Sequence, residues 1–358
     1  MRRSAHHPWE ARMTPARTQG RTIGVVYTGG TFGMQRSKRG YVPSTDLPRR
    51  VEAALAETAD AGLPDLAWLD HGWPPVNSAD LEPRFWFDLA AAIARAADAY
   101  DGFVVIHGTD TLAYTGSALS FLLAGLDKPV VVTGAAAPLG EAGSDALDNL
   151  RHALQAAADD RCREVGVAFR GRLLRANRAS KRHGLGDDPF DSPCCPPLAE
   201  FDEAVRWHDA PALPEVPASP VPTAAWQDTR VALLSVYPGM DGDVVQAVAG
   251  CGAGALLLEG YAAGIGPGGH ADFVRAIEEC VRTGVVVGAI SQSRTGYVRL
   301  GKYAVSTPLA EAGVVGGADM TREAALTKLH VLLAQELAPE QIAAAFGRDW
   351  RGELTAES

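Results

Sequence analysis

Lysine is scarce in this chain. Of its 33 basic residues only five are lysine (Lys38, Lys128, Lys181, Lys302 and Lys328), and the rest are arginine. Positive charge as a whole is in deficit, since 43 acidic residues leave a net charge of −10. With no basic block to meet phosphates, no nucleic-acid partner is expected. No apolar run approaches the roughly 18 residues that a spanning helix needs, so no membrane partner is expected either. The five cysteines (Cys162, Cys194, Cys195, Cys251, Cys280) are odd in number and form no metal-type pair of pairs. Adjacent Cys194 and Cys195 are poorly placed to bridge each other, and a reducing cytoplasm fits this usage. The opening "MRRSAHHPWEARMTPARTQG" is basic and lacks a signal-peptide core, so residues 1–20 read as a disordered tail.

What is present is alternation. Short β-branched runs, "IGVVYTGG", "GFVVIHG", "PVVVTG" and "VGVAF", are separated by helical stretches. In "TLAYTGSALSFLLAGL", Leu119, Leu122, Leu123 and Leu126 fall at i, i+3, i+4 and i+7, one apolar helical face. Strands apolar on both faces with helices between them imply a mostly parallel sheet covered on both sides. Residues 209–228 are proline-rich and read as a linker. Beyond it the alternation restarts with "VALLSVYPG", a helix from about Asp241, "ALLLEGYAAG", "HADFVRAIEECVRTG" and "VVVGAIS". The last helix expected is "MTREAALTKLHVLLAQ", capped by Thr321. The expected fold is therefore α/β in two domains, a larger one over 21–208 and a smaller Rossmann-like one over 229–358.

Ligands of open α/β sheets gather beyond the carboxyl ends of the strands. Three polar clusters sit at such ends: Thr28-Gly29-Gly30-Thr31, His107-Gly108-Thr109-Asp110-Thr111, and "TGAAAP". Alone, the first reads as a glycine turn, and no lysine follows it at P-loop spacing. In the second, Asp110 is placed either to cap the next helix or to hold an ammonium group or a lysine. His107 reads as a packed strand-end residue. Lys181, in "RLLRANRASKRH", stands beside Arg178 and Arg182, where a lysine retained among arginines suggests a proton transfer that arginine cannot perform.

Taken together, "YTGGTFGM", "HGTDTLAYTGSALSF", "GGADMTREAALTKLHVLLAQEL" and "RGELT" resemble the bacterial-type L-asparaginase family, its cytoplasmic type I branch in particular. The resemblance runs from about Ile23 to Thr355. It implies an amidohydrolase that cleaves the side-chain amide of L-asparagine, with possible glutaminase side activity, needing no cofactor and no metal. By the same resemblance Thr31 is the nucleophile, and Tyr41, in "RGYVP", sits against its hydroxyl on a lid that includes "MQRSKRG". Thr109, Asp110 and Lys181 match the family's second catalytic set, in which a neutral lysine activates Thr109 or a water. Asn77, Ser78 and Ala79 match the segment that receives the substrate's α-carboxylate. Backbone N–H groups near Gly30 and Thr109 are the expected oxyanion donors.

The chain departs from the pattern at Ala135 and Ala136, where relatives often carry Ser and Gln, and at Ile265, where they usually carry Asn. Glu259 stands where a basic residue would serve regulation by a second substrate site. A homodimer or homotetramer is implied. Two alternatives stay open on sequence alone: the asparaginase-like subunit of a tRNA amidotransferase, and a catalytically dead amino-acid-binding module.

Overall fold

The computed structural model describes residues 20–356 apart from 39, 45, 59–61, 185–187, 203–204 and 215–225. The expected tail, but for Gly20, and most of the expected linker lie outside the described residues. In chain order the first half contains β1 (Thr22–Tyr27), a hairpin of β2 (Met34–Ser37) and β3 (Gly40–Pro43), α1 (Leu47–Glu57), β4 (Asp65–Trp68) and α2 (Pro83–Arg95). It continues with β5 (Gly102–Ile106), α3 (Leu112–Leu122), β6 (Val130–Thr133), α4 (Ala146–Ala157), β7 (Val165–Phe169) and β8 (Arg172–Arg175). Short strands β9 (Ser180–Lys181), β10 (Phe190–Asp191), β11 (Ala199–Phe201) and β12 (Val205–Trp207) complete it.

Eight strands form one sheet in the order β12-β11-β8-β7-β6-β5-β1-β4. It is parallel from β4 to β7, as expected, and antiparallel from β8 outward. Successive valines along a strand point to opposite faces. Val26, Val105, Val132 and Val167 join the core under α2 and α3, whereas Val25, Val104 and Val131 join the core under α1 and α4. Burial on both faces explains why these strands read as continuous β-branched runs. The reversal into β8 is a two-residue hairpin at Arg170 and Gly171, both left-handed with φ 46° and 73°. That is the turn geometry which matches strand twist.

The second half contains β13 (Val231–Ser235), α5 (Gly242–Ala249), β14 (Ala255–Gly260), α6 (Ala271–Arg282), β15 (Val286–Ser291), α7 (Thr307–Glu311), β16 (Val315–Gly316), α8 (Arg322–Leu333) and α9 (Pro339–Phe346). Its four strands pair in chain order and all in parallel. Asp241 and Thr321 cap their helices as expected, accepting from the N–H groups of Val244 at 3.2 Å and Ala324 at 3.1 Å. Sequence reading ended the helices with α8. The structure adds α9, whose Ile342 and Phe346 close the core under β14 and β15.

Two helices are buried on more sides than their sequences suggest. The leucine stripe of α3 is one expected face, yet every residue from Thr115 to Leu122 is buried, because α8 crosses its other side. Helix α8 in turn contributes Val331 to the core of the first half and Ala325, Leu329 and Leu332 to that of the second. The two domains share a helix.

Candidate active site

Strands β1 and β5 end side by side, so the "TGGT" and "HGTDT" segments leave the sheet as neighbours. Thr28 stays in the framework, its hydroxyl donating to the Ile106 carbonyl at 3.1 Å. The two glycines then allow three stretches of backbone to touch. A Cβ on Gly29 would come within 2.0 Å of the Val76 carbonyl oxygen, and one on Gly30 within 2.3 Å of the Gly108 Cα. A Cβ on Gly108 would fall 2.5 Å from the Ser78 Oγ. Gly30, at φ 84° and ψ 177°, occupies a region essentially closed to other residues. Thr31 begins the short 3-10 turn Thr31–Gly33 that follows.

That turn is fastened from the far side. The Arg50 guanidinium donates to the carbonyls of Gly33 at 3.1 Å and Leu139 at 2.5 Å, and the Leu139 N–H donates to the Phe32 carbonyl at 3.0 Å. The loop carrying Leu139 is itself organised by buried Asp145, whose Oδ1 accepts from the N–H groups of Ala136 at 2.9 Å and Ala137 at 3.1 Å. Ala135 is packed in the core beneath α1 and α4, so of the two alanines only Ala136 is exposed. Sequence reading passed over Arg50 and Asp145. An Asp just ahead of an apolar helix reads as a cap, and nothing local signals a loop nine residues upstream.

The second cluster assembles around Lys181. Its Nζ donates to Thr109 Oγ1 at 3.0 Å and pairs with Asp110 Oδ1 at 2.6 Å. Asp110 therefore does not cap α3. Thr111, at the cap position, instead donates its hydroxyl to the Ser78 carbonyl at 2.8 Å, tying this cluster to the 77–79 segment. There Asn77 Oδ1 caps a single turn by accepting from the Ala79 N–H at 3.2 Å, and Ser78 is buried. His107 is fully buried, with Nδ1 donating to the Gly108 carbonyl at 2.7 Å and Nε2 accepting from the Thr115 hydroxyl at 2.9 Å. Burial pushes its pKa down to about 4, which keeps the ring neutral and suits it to packing.

Tyr41 has a different partner. It sits on β3 of the β2–β3 hairpin, 45% exposed, and its hydroxyl donates to the Glu141 carboxylate at 2.8 and 2.9 Å. The structure thus brings together Thr109, Asp110 and Lys181 and sets Gly30 against Gly108, while Tyr41 makes no hydrogen bond with Thr31. Chiefly the hydrogen bond to Glu141, followed by desolvation and the negative charge of that carboxylate, holds the tyrosine hydroxyl above its ordinary pKa. Glu141 was not foreseen from sequence.

On the far side of Lys181 lies a polar cavity of about 270 Å³, lined by Arg182, Glu259, Arg294, Asp319, Arg322 and Glu323 among others. Glu259 is buried there and paired with Arg322 Nε at 2.5 Å, so α8 supplies the cation that the sequence position lacks. Ile265 closes a small turn by exchanging backbone hydrogen bonds with Tyr261.

Comparison with known proteins covers both halves. Residues 22–213 match the family described as "Asparaginase, N-terminal", and residues 230–346 match the "Glutaminase/Asparaginase C-terminal domain". L-asparaginase 1 of Escherichia coli is 42% identical over 346 residues, spanning 95% of this chain and 99% of that one. The L-asparaginase of Thermococcus kodakarensis is 35% identical over 341 residues, spanning 92% and 98%. Among solved structures, L-asparaginase I from Vibrio cholerae superposes with a TM-score of 0.82 at 34% identity, over 94% of this chain and 99% of its own. With family matches across both domains and relatives aligned almost end to end, the chain belongs to the asparaginase family.

Proposed function

We propose that this protein is an L-asparaginase, hydrolysing L-asparagine to L-aspartate and ammonia through an acyl-enzyme on Thr31. The observation that carries the reading is the juxtaposition of Gly30-Thr31 with Gly108-Thr109, where the Thr109 hydroxyl accepts from Lys181 Nζ, which is itself paired with the Asp110 carboxylate. In this reading the Thr31 oxygen attacks the side-chain amide carbon, and its proton passes to a base. The tetrahedral oxygen draws on backbone N–H groups near Gly30 and Thr109. The carbon–nitrogen bond then breaks, and ammonia leaves with the proton. Thr109, activated by Lys181, directs water to the resulting ester, releasing aspartate and restoring the Thr31 hydroxyl.

Substrate orientation follows from the charges at the rim. The α-carboxylate is received by Ser78 and its neighbours Asn77 and Ala79, and the α-ammonium by Asp110. Tyr41 enters by exchange. While its hydroxyl donates to Glu141 its pKa is raised, which keeps it protonated and leaves no phenolate to take the Thr31 proton. Moving the hairpin inward would free it from that carboxylate and bring it to Thr31. Slower hydrolysis of L-glutamine, assembly as a homodimer or homotetramer, and a cytoplasmic setting belong to the same proposal.

The experiment is ammonia release from L-asparagine together with intact-mass analysis of quenched enzyme. An ester adduct mapping to Thr31, enriched in Thr109→Val and absent in Thr31→Val, is expected. An adduct on Thr109, or full turnover by Thr31→Val, would reverse the assignment.

A further inference from the structure

Four residues upstream of Lys181 the chain is fastened by a segment more than 170 residues away. The Asn177 side-chain amide donates to the Arg351 carbonyl at 2.9 Å, and Arg178 Nε donates to the Gly352 carbonyl at 2.7 Å. Arg178 Nη2 also donates to Thr355 Oγ1 at 3.2 Å, while its Nη1 pairs with Asp319 Oδ2 at 3.1 Å. Both Asn177 and Arg178 are buried. The circle closes on Thr355, whose N–H donates to Asp319 Oδ1 at 2.7 Å and whose hydroxyl donates to Oδ2 at 2.6 Å. Asp319 follows Ala318, a non-glycine residue at φ 52°, a conformation that persists only where surroundings impose it.

The strap is itself anchored from below. Glu353 is fully buried against Lys328 of α8, 2.5 Å away, and accepts from the N–H groups of Trp350 at 3.0 Å and Arg351 at 2.6 Å. From the same helix Glu323 accepts the Ser180 hydroxyl at 2.8 Å, one residue from the lysine. Among the described residues Ser180–Lys181 is otherwise a two-residue strand paired with Phe190–Asp191 alone. A strand that short has little rigidity of its own.

We infer that the C-terminal strap Arg351–Thr355 is a positioning device for Lys181, holding its Nζ within reach of Thr109 only when the second domain is docked on the first. The hydrogen bonds and ion pairs of Asn177, Arg178, Asp319 and Thr355 described above reach neither Thr109 nor Asp110, so they act through the backbone that carries the lysine. The inference rests on the proposed role of Lys181 and adds a source for its alignment. It also gives the "RGELT" stretch, which lies outside the reacting cluster, a part in the site.

The test uses the full chain and Thr355, which is exposed, so its replacement leaves the core intact. Thr355→Val removes the hydroxyl that bridges Arg178 and Asp319 beside their direct ion pair, and Thr355→Ser restores it. Thr355→Val is expected to lower kcat for L-asparagine by about tenfold or more with KM nearly unchanged, since misplacement of about 1 Å can cost a hundredfold. Thr355→Ser should recover most of the loss, and Asp319→Asn should behave as Thr355→Val does. Lys181→Met and Thr31→Val are run beside them. If those two lose activity while Thr355→Val and Asp319→Asn keep wild-type kcat, the strap serves stability alone and the inference fails. If Lys181→Met itself retains activity, the proposed site is wrong instead.

Discussion

Gly30→Ala isolates the close approach on which the site is built. The backbone there has φ 84° and ψ 177°, so any side chain costs about 1–3 kcal/mol in conformation alone. The added Cβ would also lie 2.3 Å from the Gly108 Cα, and the obstruction is main chain, which cannot swing aside. Carbon atoms in contact need about 3.5 Å, so the two strand ends must part by about 1 Å, carrying Thr31 away from Thr109. A shift of that size between reacting groups costs about a hundredfold in kcat. Gly301→Ala is the control, because Gly301 is also left-handed at φ 80° but has nothing within 4 Å of the added carbon. It should lower thermal stability without touching kcat. Steady-state ammonia release and thermal melts on both variants separate displacement from strain. If Gly30→Ala kept more than half of wild-type kcat, the touching backbones would have no part in catalysis.

Three further outcomes are expected. Lys181→Arg should lose activity almost as completely as Lys181→Met, about a hundredfold or more, because arginine keeps its proton; near-normal ammonia release by the arginine variant would end the proton-transfer role. Glu141→Ala should lower KM by freeing Tyr41 from its resting partner, whereas Tyr41→Phe should lower kcat; an unchanged KM in the first would remove Glu141 from lid control. Burial depresses the His107 pKa to about 4, so between about pH 6.5 and 4 the unfolded chain binds a proton that the native chain refuses. Stability should therefore be full above pH 6.5 and fall through that window by an amount on the order of 3 kcal/mol, measured by urea denaturation at stepped pH; a flat profile would contradict the buried neutral ring.

The central strands of the first sheet were legible because a strand buried on two faces reads as a continuous β-branched run, and "GVVY", "FVVI" and "VVVT" are such runs. Thr321 and Asp241 were legible as caps because capping is local. What escaped was set at a distance. Strands β8, β11 and β12 are short and owe their form to pairing across the sheet edge, and α9 is marked by little beyond its proline at the start. Helix α3 read as amphipathic because no local pattern announces that α8 covers its second side. At the site, the threonines, Asp110 and Lys181 stood out by residue type and motif. The hold of Arg50 and Asp145 on the Thr31 turn, and of Glu141 on Tyr41, did not, since each spans many residues of sequence.

The shared helix α8 has a consequence for how the molecule comes apart. Val331 and Ala334 help fill one hydrophobic cluster while Ala325, Leu329 and Leu332 help fill another, and Leu326 and Trp350 border both. Neither half can melt without baring apolar surface on the other, so heat or denaturant should give one cooperative transition in place of two. A chain nicked between residues 214 and 226 should stay associated and active, and either fragment produced alone should aggregate. That outcome would make the covalent connection between domains dispensable and the helix their joint.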